Sequence, residues 1–154
     1  MTTSVLLQRP KAQELATLFS AVGWGEDNLA DLQQSIAAYP CTVCARTEQG
    51  VLVGYLSAFS DEVMSTLLGE LVVHPQWRRQ GVAKSMLAAL ELRFPNAPIY
   101  IKALGESKHF YEAVGFKVPK GQFTVMFKRP APAHPQPASA AAPARESSPG
   151  EFHP

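Results

Sequence analysis

The chain has 154 residues, an apolar fraction of 46% and a formal net charge of +1. That length suits one α/β domain and is short for two, and a charge near zero gives no global field directed at nucleic acid or an anionic membrane. The opening residues MTTSVLLQRPKAQE lack a basic stretch followed by an apolar one, and no run is long enough to span a bilayer, so a cytoplasmic setting is expected.

In chain order, Ser4 to Gln8 is a strand candidate. Leu15, Leu18, Phe19 and Val22 recur at helical spacing until Gly23-Trp24-Gly25 stops the helix. Leu29, Leu32 and Ile36 mark a second amphipathic helix ending before Pro40, with Asp27 or Asn28 as its cap. Cys41 to Arg46 and Val51 to Phe59 are strand-like and joined by TEQG, a hairpin turning at Gly50. Thr66 to Val73 follows as a further strand after the loop SDEVMS. The next helix carries Val82, Met86, Leu90 and Phe94 on one stripe, with Ala83 and Leu87 beside it. PIYIKAL is strand-like, Ser107 to Val114 forms a short helix closed by Gly115, and QFTVMFK makes a terminal strand. The expected order is β-α-α-β-β-β-α-β-α-β. Residues 1–129 form the domain; from Pro130 to Pro154 the chain is rich in Pro, Ala and Ser, without large aliphatics, and is expected to be a disordered tail.

Cys41 and Cys44 form a C-x-x-C pattern on a strand rather than at a helix start. Strand positions three apart face opposite sides, which suits neither a disulfide nor joint metal ligation, and no second pair completes a zinc site. Core cysteines are expected.

The junction VVHPQWRRQGVAKS places Arg78, Arg79, Gln80 and Gly81 where a strand gives way to a helix. The first N–H groups of a helix have no intrahelical partners and sit at the positive end of the dipole. A phosphate fits there, with Gly81 and the small Ala83 leaving room and Arg78 and Arg79 adding charge-assisted contacts. From these residues alone, an anion cradle and a solvated basic turn are equally good readings.

Arg78-Arg79-Gln80-Gly81-Val82-Ala83 resembles the Q/R-x-x-G-x-G/A motif of the GCN5-related N-acetyltransferase (GNAT) family, and Phe110 to Phe116, FYEAVGF, resembles that family's second recurrent segment. The resemblance implies a GNAT fold: a mixed, mostly antiparallel sheet flanked by helices, with central strands that splay apart. It implies acetyl-CoA as co-substrate and no metal. Backbone groups from Arg79 through Lys84, including Gln80, Gly81, Val82 and Ala83, would hold the pyrophosphate. Main-chain groups of Leu71, Val72 and Val73 would pair with the pantetheine. Tyr111 resembles the family's general acid, and Glu70 its carboxylate for proton removal. His74, Asp61 and Glu62 are weaker candidates on the acceptor side. Leu104 stands where many relatives carry Asn, a departure from the family pattern.

The same motifs resemble small bacterial members similar to serotonin and arylalkylamine N-acetyltransferases. This implies a small-molecule primary amine, an arylalkylamine or a polyamine, as acceptor. Trp24, Tyr55 and Phe59 are candidate pocket aromatics and equally good core residues. A homodimer is compatible with the resemblance, whereas nucleic-acid and membrane partners are not expected. The rival readings are an acetyl-CoA-binding sensor and a protein or charged-tRNA amine acetyltransferase.

Overall fold

Alternating apolar positions at the N-terminus build β1 (Thr3–Leu7), which pairs antiparallel with β2 (Cys41–Thr47). The computed structural model describes residues 2–25, 27–121 and 124–130. Between these strands lie α1 (Ala12–Ala21) and α2 (Leu29–Ala38). At the start of α1 the Glu14 carboxylate accepts from the Lys11 N–H at 2.9 Å, and α2 begins where Asn28 Oδ1 accepts from Ala30 and Asp31. Of the two cap candidates for α2, Asn28 is the one used.

The TEQG hairpin leads into β3 (Leu52–Ser60), which pairs antiparallel with β4 (Thr66–Val73). A one-turn 3-10 helix (Pro75–Trp77), the Arg78–Gly81 turn and α3 (Val82–Arg93) carry the chain over the sheet to β5 (Ile99–Tyr100). Helix α4 (Ser107–Ala113) follows. The five strands lie in the order β1-β2-β3-β4-β5, all antiparallel except the parallel β4–β5 pair.

Each face of the sheet has its own core. On one, Cys41, Val43, Leu56, Ala58 and Leu68 pack against Val82, Met86, Leu90 and Phe94 of α3 and Tyr111 of α4. On the other, Cys44, Leu52, Tyr55 and Val72 pack against Leu15, Leu18 and Phe19 of α1 and Leu32 and Ile36 of α2. The two free cysteines are therefore buried on opposite faces, as their spacing requires.

Two strand expectations need correction. PIYIKAL is a strand only at Ile99–Tyr100, because β5 meets β4 at just two positions, Thr66↔Ile99 and Leu67↔Tyr100, and then diverges. In QFTVMFK, residues 124–128 have no strand pairing and Val125, Met126 and Phe127 are exposed, while Gln122 and Phe123 lie outside the described residues. An alternating pattern marks a segment fit for a ladder and does not say which edge will meet it. The tail from 131 to 154 also lies outside the described residues. Among the described residues no helix is long and apolar enough to cross a membrane.

Candidate active site

Strand β4 organises the site, and its pairing changes along its length. After Leu67 it loses β5 while keeping β3. The His74 N–H donates to the Val53 carbonyl at 2.8 Å, so by the alternation of an antiparallel ladder the main chain of Val72 also bonds to β3. Leu71 and Val73 turn their N–H and C=O groups the other way, into the opening between β4 and β5. The Val73 carbonyl there receives Arg78 Nε at 3.2 Å. The expected trio of main-chain contacts thus divides: Leu71 and Val73 face the opening, and Val72 faces away from it.

Opposite Ser57 the ladder slips. Leu56 pairs with Leu71 and Ala58 with Leu68, leaving Gly69 and Glu70 across from one residue. This bulge re-aims the side chains. Leu68 packs on the α3 face, whereas Glu70 shares the α1/α2 side with Val72. Strict alternation would have put Leu68 and Glu70 on the same side.

The half-buried Glu70 carboxylate is held by two hydroxyls. Ser57 Oγ donates to its Oε2, and Tyr39 Oη donates to its Oε1 at 3.2 Å. The Glu70 N–H in turn donates to Ser57 Oγ at 2.9 Å. Burial raises the Tyr39 phenol above its ordinary pKa, and the Glu70 charge adds to the rise, so Tyr39 stays a donor. A Cβ at Gly69 would stand 2.5 Å from Tyr39 Oη and 2.6 Å from Ser57 Oγ, so the cluster closes over a residue that must lack a side chain. Ser57, Tyr39 and Gly69 were not singled out from sequence. A glycine inside an apolar strand, and a lone serine in Leu52–Phe59, were the signals available.

The turn before α3 is built from positive φ angles: Arg79 at 59° and Gly81 at 80°. A one-turn helix separates it from β4, so the strand does not feed directly into α3 as expected. Gly81 is the N-cap, and no side chain caps α3, unlike α2 with its Asn28. The first intrahelical bond runs from the Ser85 N–H to the Gly81 carbonyl. The N–H groups of Val82, Ala83 and Lys84 are left pointing out of the helix end. Arg79, Gln80, Gly81 and Lys84 are exposed, and the Val82 side chain is buried in the core, which leaves its N–H as its contribution. Gln80 Nε2 donates to the Gln76 carbonyl at 2.9 Å, and Arg78 is engaged as above.

Tyr111 is 9% exposed, with edge-on ring contacts to Phe110 at 5.2 Å and Phe116 at 5.4 Å. Burial pushes its phenol up to about 12. Tyr111 and Glu70 belong to opposite faces of the sheet.

The weaker candidates have structural duties. His74 Nδ1 accepts from the Gln76 N–H at 3.3 Å. Asp61 Oδ1 accepts from Val63, Met64 and Ser65, and Glu62 pairs with Arg93 at 3.0 Å. Tyr55 is buried and Trp24 packs on Phe19 at 4.9 Å, which leaves Phe59 as the exposed aromatic of the three. At Leu104 the main-chain groups are held by the Ser107 hydroxyl. Among the described residues no cluster of His, Cys, Asp or Glu is placed to hold a metal ion. A cavity of about 430 Å³ opens between Phe94, Ala97, Ile99, Val114 and Phe116, at the far end of α3 from Gly81.

A sequence model of the acetyltransferase (GNAT) domain matches residues 12–125. The chain belongs to the GNAT acetyltransferase family. Solved GNAT relatives share its fold. One, a GNAT family acetyltransferase from Streptococcus pneumoniae, has a TM-score of 0.71 at 21% identity and covers 84% of this chain and 100% of its own. Another is AAC(6')-Iy, bound to the bisubstrate analogue CoA-S-monomethyl-acetylneamine, with a TM-score of 0.65, 17% identity, and 85% and 100% coverage. The aminoglycoside 6'-N-acetyltransferase AAC(6')-Ih of Acinetobacter baumannii gives 0.63, 18%, and 84% and 99%. No curated protein matches the sequence.

Proposed function

We propose that this GNAT protein transfers the acetyl group of acetyl-CoA to a primary amine of a small molecule, an arylalkylamine or a polyamine by its sequence resemblance. The observation that carries the reading is the combination of an uncapped α3 N-terminus with a β4 edge that β5 leaves open from Leu68 onward. Both features offer N–H donors in a row to one extended ligand with a phosphate end and an amide arm. The donor set fits coenzyme A. The N–H groups of Val82, Ala83 and Lys84 receive the pyrophosphate with Gly81 and Arg79 shaping the turn, and Leu71 and Val73 pair with the pantetheine amides.

Bound acetyl-CoA supplies the thioester carbonyl that the amine attacks. An alkyl amine is an ammonium near neutral pH, so one proton must leave before its lone pair is available. Glu70 accepts that proton, directly or through a water, while Ser57 and Tyr39 hold its carboxylate in place. Tyr111, whose burial keeps the phenol protonated well above neutral pH, donates to the sulfur as the C–S bond breaks. The attacking nitrogen sheds its excess proton, which by way of solvent restores the Tyr111 phenol, and keeps the acetyl group, while coenzyme A leaves as the thiol.

Release of coenzyme A thiol, measured against arylalkylamines, polyamines, amino acids and peptides with Gly81→Glu as the blank, tests the proposal. A Cβ at Gly81 meets nothing within 4 Å, so the structural cost of the variant is left-handed strain of about 1 kcal/mol, while its charge repels the phosphates. Amine-dependent release that vanishes in Gly81→Glu is expected. Bound acetyl-CoA with no release from any amine would overturn the enzymatic reading.

A further inference from the structure

Beyond Glu70, the α1/α2 face of the sheet carries a row of exposed apolar side chains. Phe59 of β3 lies opposite Leu67 of β4, and Leu67 opposite Tyr100 of β5. They are 46%, 54% and 46% exposed. They share a face: Phe59 stacks on Tyr39 at 4.4 Å, and Ile99 packs toward α3, which turns Tyr100 the other way. Helix α2 ends at Ala38, so Tyr39 is the last residue it places over this part of the sheet.

The row has a charged end. Tyr39 joins it to Glu70, because the ring that stacks on Phe59 carries the hydroxyl that donates to the carboxylate. Asp61 accepts three backbone N–H groups on Oδ1, and Glu62 pairs with Arg93. Lys102 stands two residues past Tyr100. Glu70, joined to the row through Tyr39, is therefore the carboxylate that the row presents to a cationic group.

We propose that Tyr39, Phe59, Leu67 and Tyr100 form the acceptor-binding surface, selecting amines with a flat apolar body over small alkyl amines. The inference rests on the acetyltransferase reading for the reaction at the amine and on the sheet register for the selectivity. Aromatic side chains favour offset or tilted contact with a ring, and Glu70 fixes which end of the ligand points to the β4–β5 opening.

Direct binding separates this selectivity from turnover. Calorimetric titration of the full chain, with coenzyme A present, compares 2-phenylethylamine with propylamine. The phenyl compound should bind on the order of tenfold more tightly than propylamine, the scale of one buried aromatic contact. Phe59→Ala should bring the phenyl preference down to about threefold or less. Equal affinities in the wild-type chain, no amine binding, or a preference that survives Phe59→Ala would each overturn the proposal. So would light scattering that finds a dimer dissociated by Phe59→Asp, since a second copy would then cover the row. Selective binding without thiol release would instead defeat the enzymatic reading and leave the surface assigned.

Discussion

Gly69 and Gly81 flank the C-terminal half of β4 and are glycines for opposite reasons. At Gly69 the backbone is ordinary and the space is filled, with Tyr39 and Ser57 occupying the volume of any side chain. At Gly81 the space is open and the backbone is unusual, in the left-handed region at the head of α3. On the proposed reading, the acceptor side of the site is made by packing within the protein, and the donor side by a turn that presents backbone to a ligand. Changes on the two sides should separate in kinetics and stability.

The largest effects are expected where a proton is moved. Glu70→Gln and Tyr111→Phe should each lower kcat about 100-fold, with acetyl-CoA affinity by calorimetry nearly unchanged. Loss of acetyl-CoA binding with either would merge the two sides. Next comes the pair of alanines. Gly69→Ala should destabilise by about 1–3 kcal/mol in urea melts, as overpacking does, and should lower kcat by displacing Tyr39 and Ser57 from Glu70. Gly81→Ala should destabilise by about 1 kcal/mol from left-handed strain, and act mainly on the KM for acetyl-CoA. Equal kcat losses in the two would break the contrast.

The smallest effect lies away from both. Arg46 grips Glu14 with two nitrogens at 2.7 and 3.0 Å, and the hydrogen bond to Arg46 holds the carboxyl at about 2, below its usual 4.5. A carboxyl lowered on folding contributes stability above its unfolded pKa and loses it as pH falls through the folded value, so here between about 4.5 and 2. The side chains are part-buried, 13% exposed for Arg46 and 31% for Glu14, so Glu14→Gln should cost about 1 kcal/mol at pH 7 after partial screening. Thermal melts of the variant should fall less steeply than wild type below pH 4.5, with kcat unchanged.

Much of this architecture was legible because it is local. The α3 stripe of Val82, Met86, Leu90 and Phe94 was readable from its 3.6 period, and all four are buried. The opposed faces of Cys41 and Cys44 followed from the strand period. The Gly81 turn was marked by residue type and by family resemblance. The Glu70 surroundings were not legible, because Ser57 and Tyr39 reach it across 13 and 31 residues, and no periodicity records such contacts. The bulge at Gly69–Glu70 also inverts the face that alternation assigns to one end of β4. Strand length at β5 was overread for a related reason: apolar character runs on after the ladder partner has turned away.

The brevity of that ladder has a thermodynamic corollary. Two residue pairs join β5 to β4, and the segment they anchor leads to α4 and Tyr111. A molecule seated along the open edge would take the place of missing ladder bonds, so acetyl-CoA should act as a reversible sixth strand. The melting temperature would then climb with its concentration, by a free energy of about 2.7 kcal/mol at a hundredfold excess over Kd. Protection from proteolysis should follow the same curve, with cleavage between Tyr100 and Tyr111 the first to be suppressed.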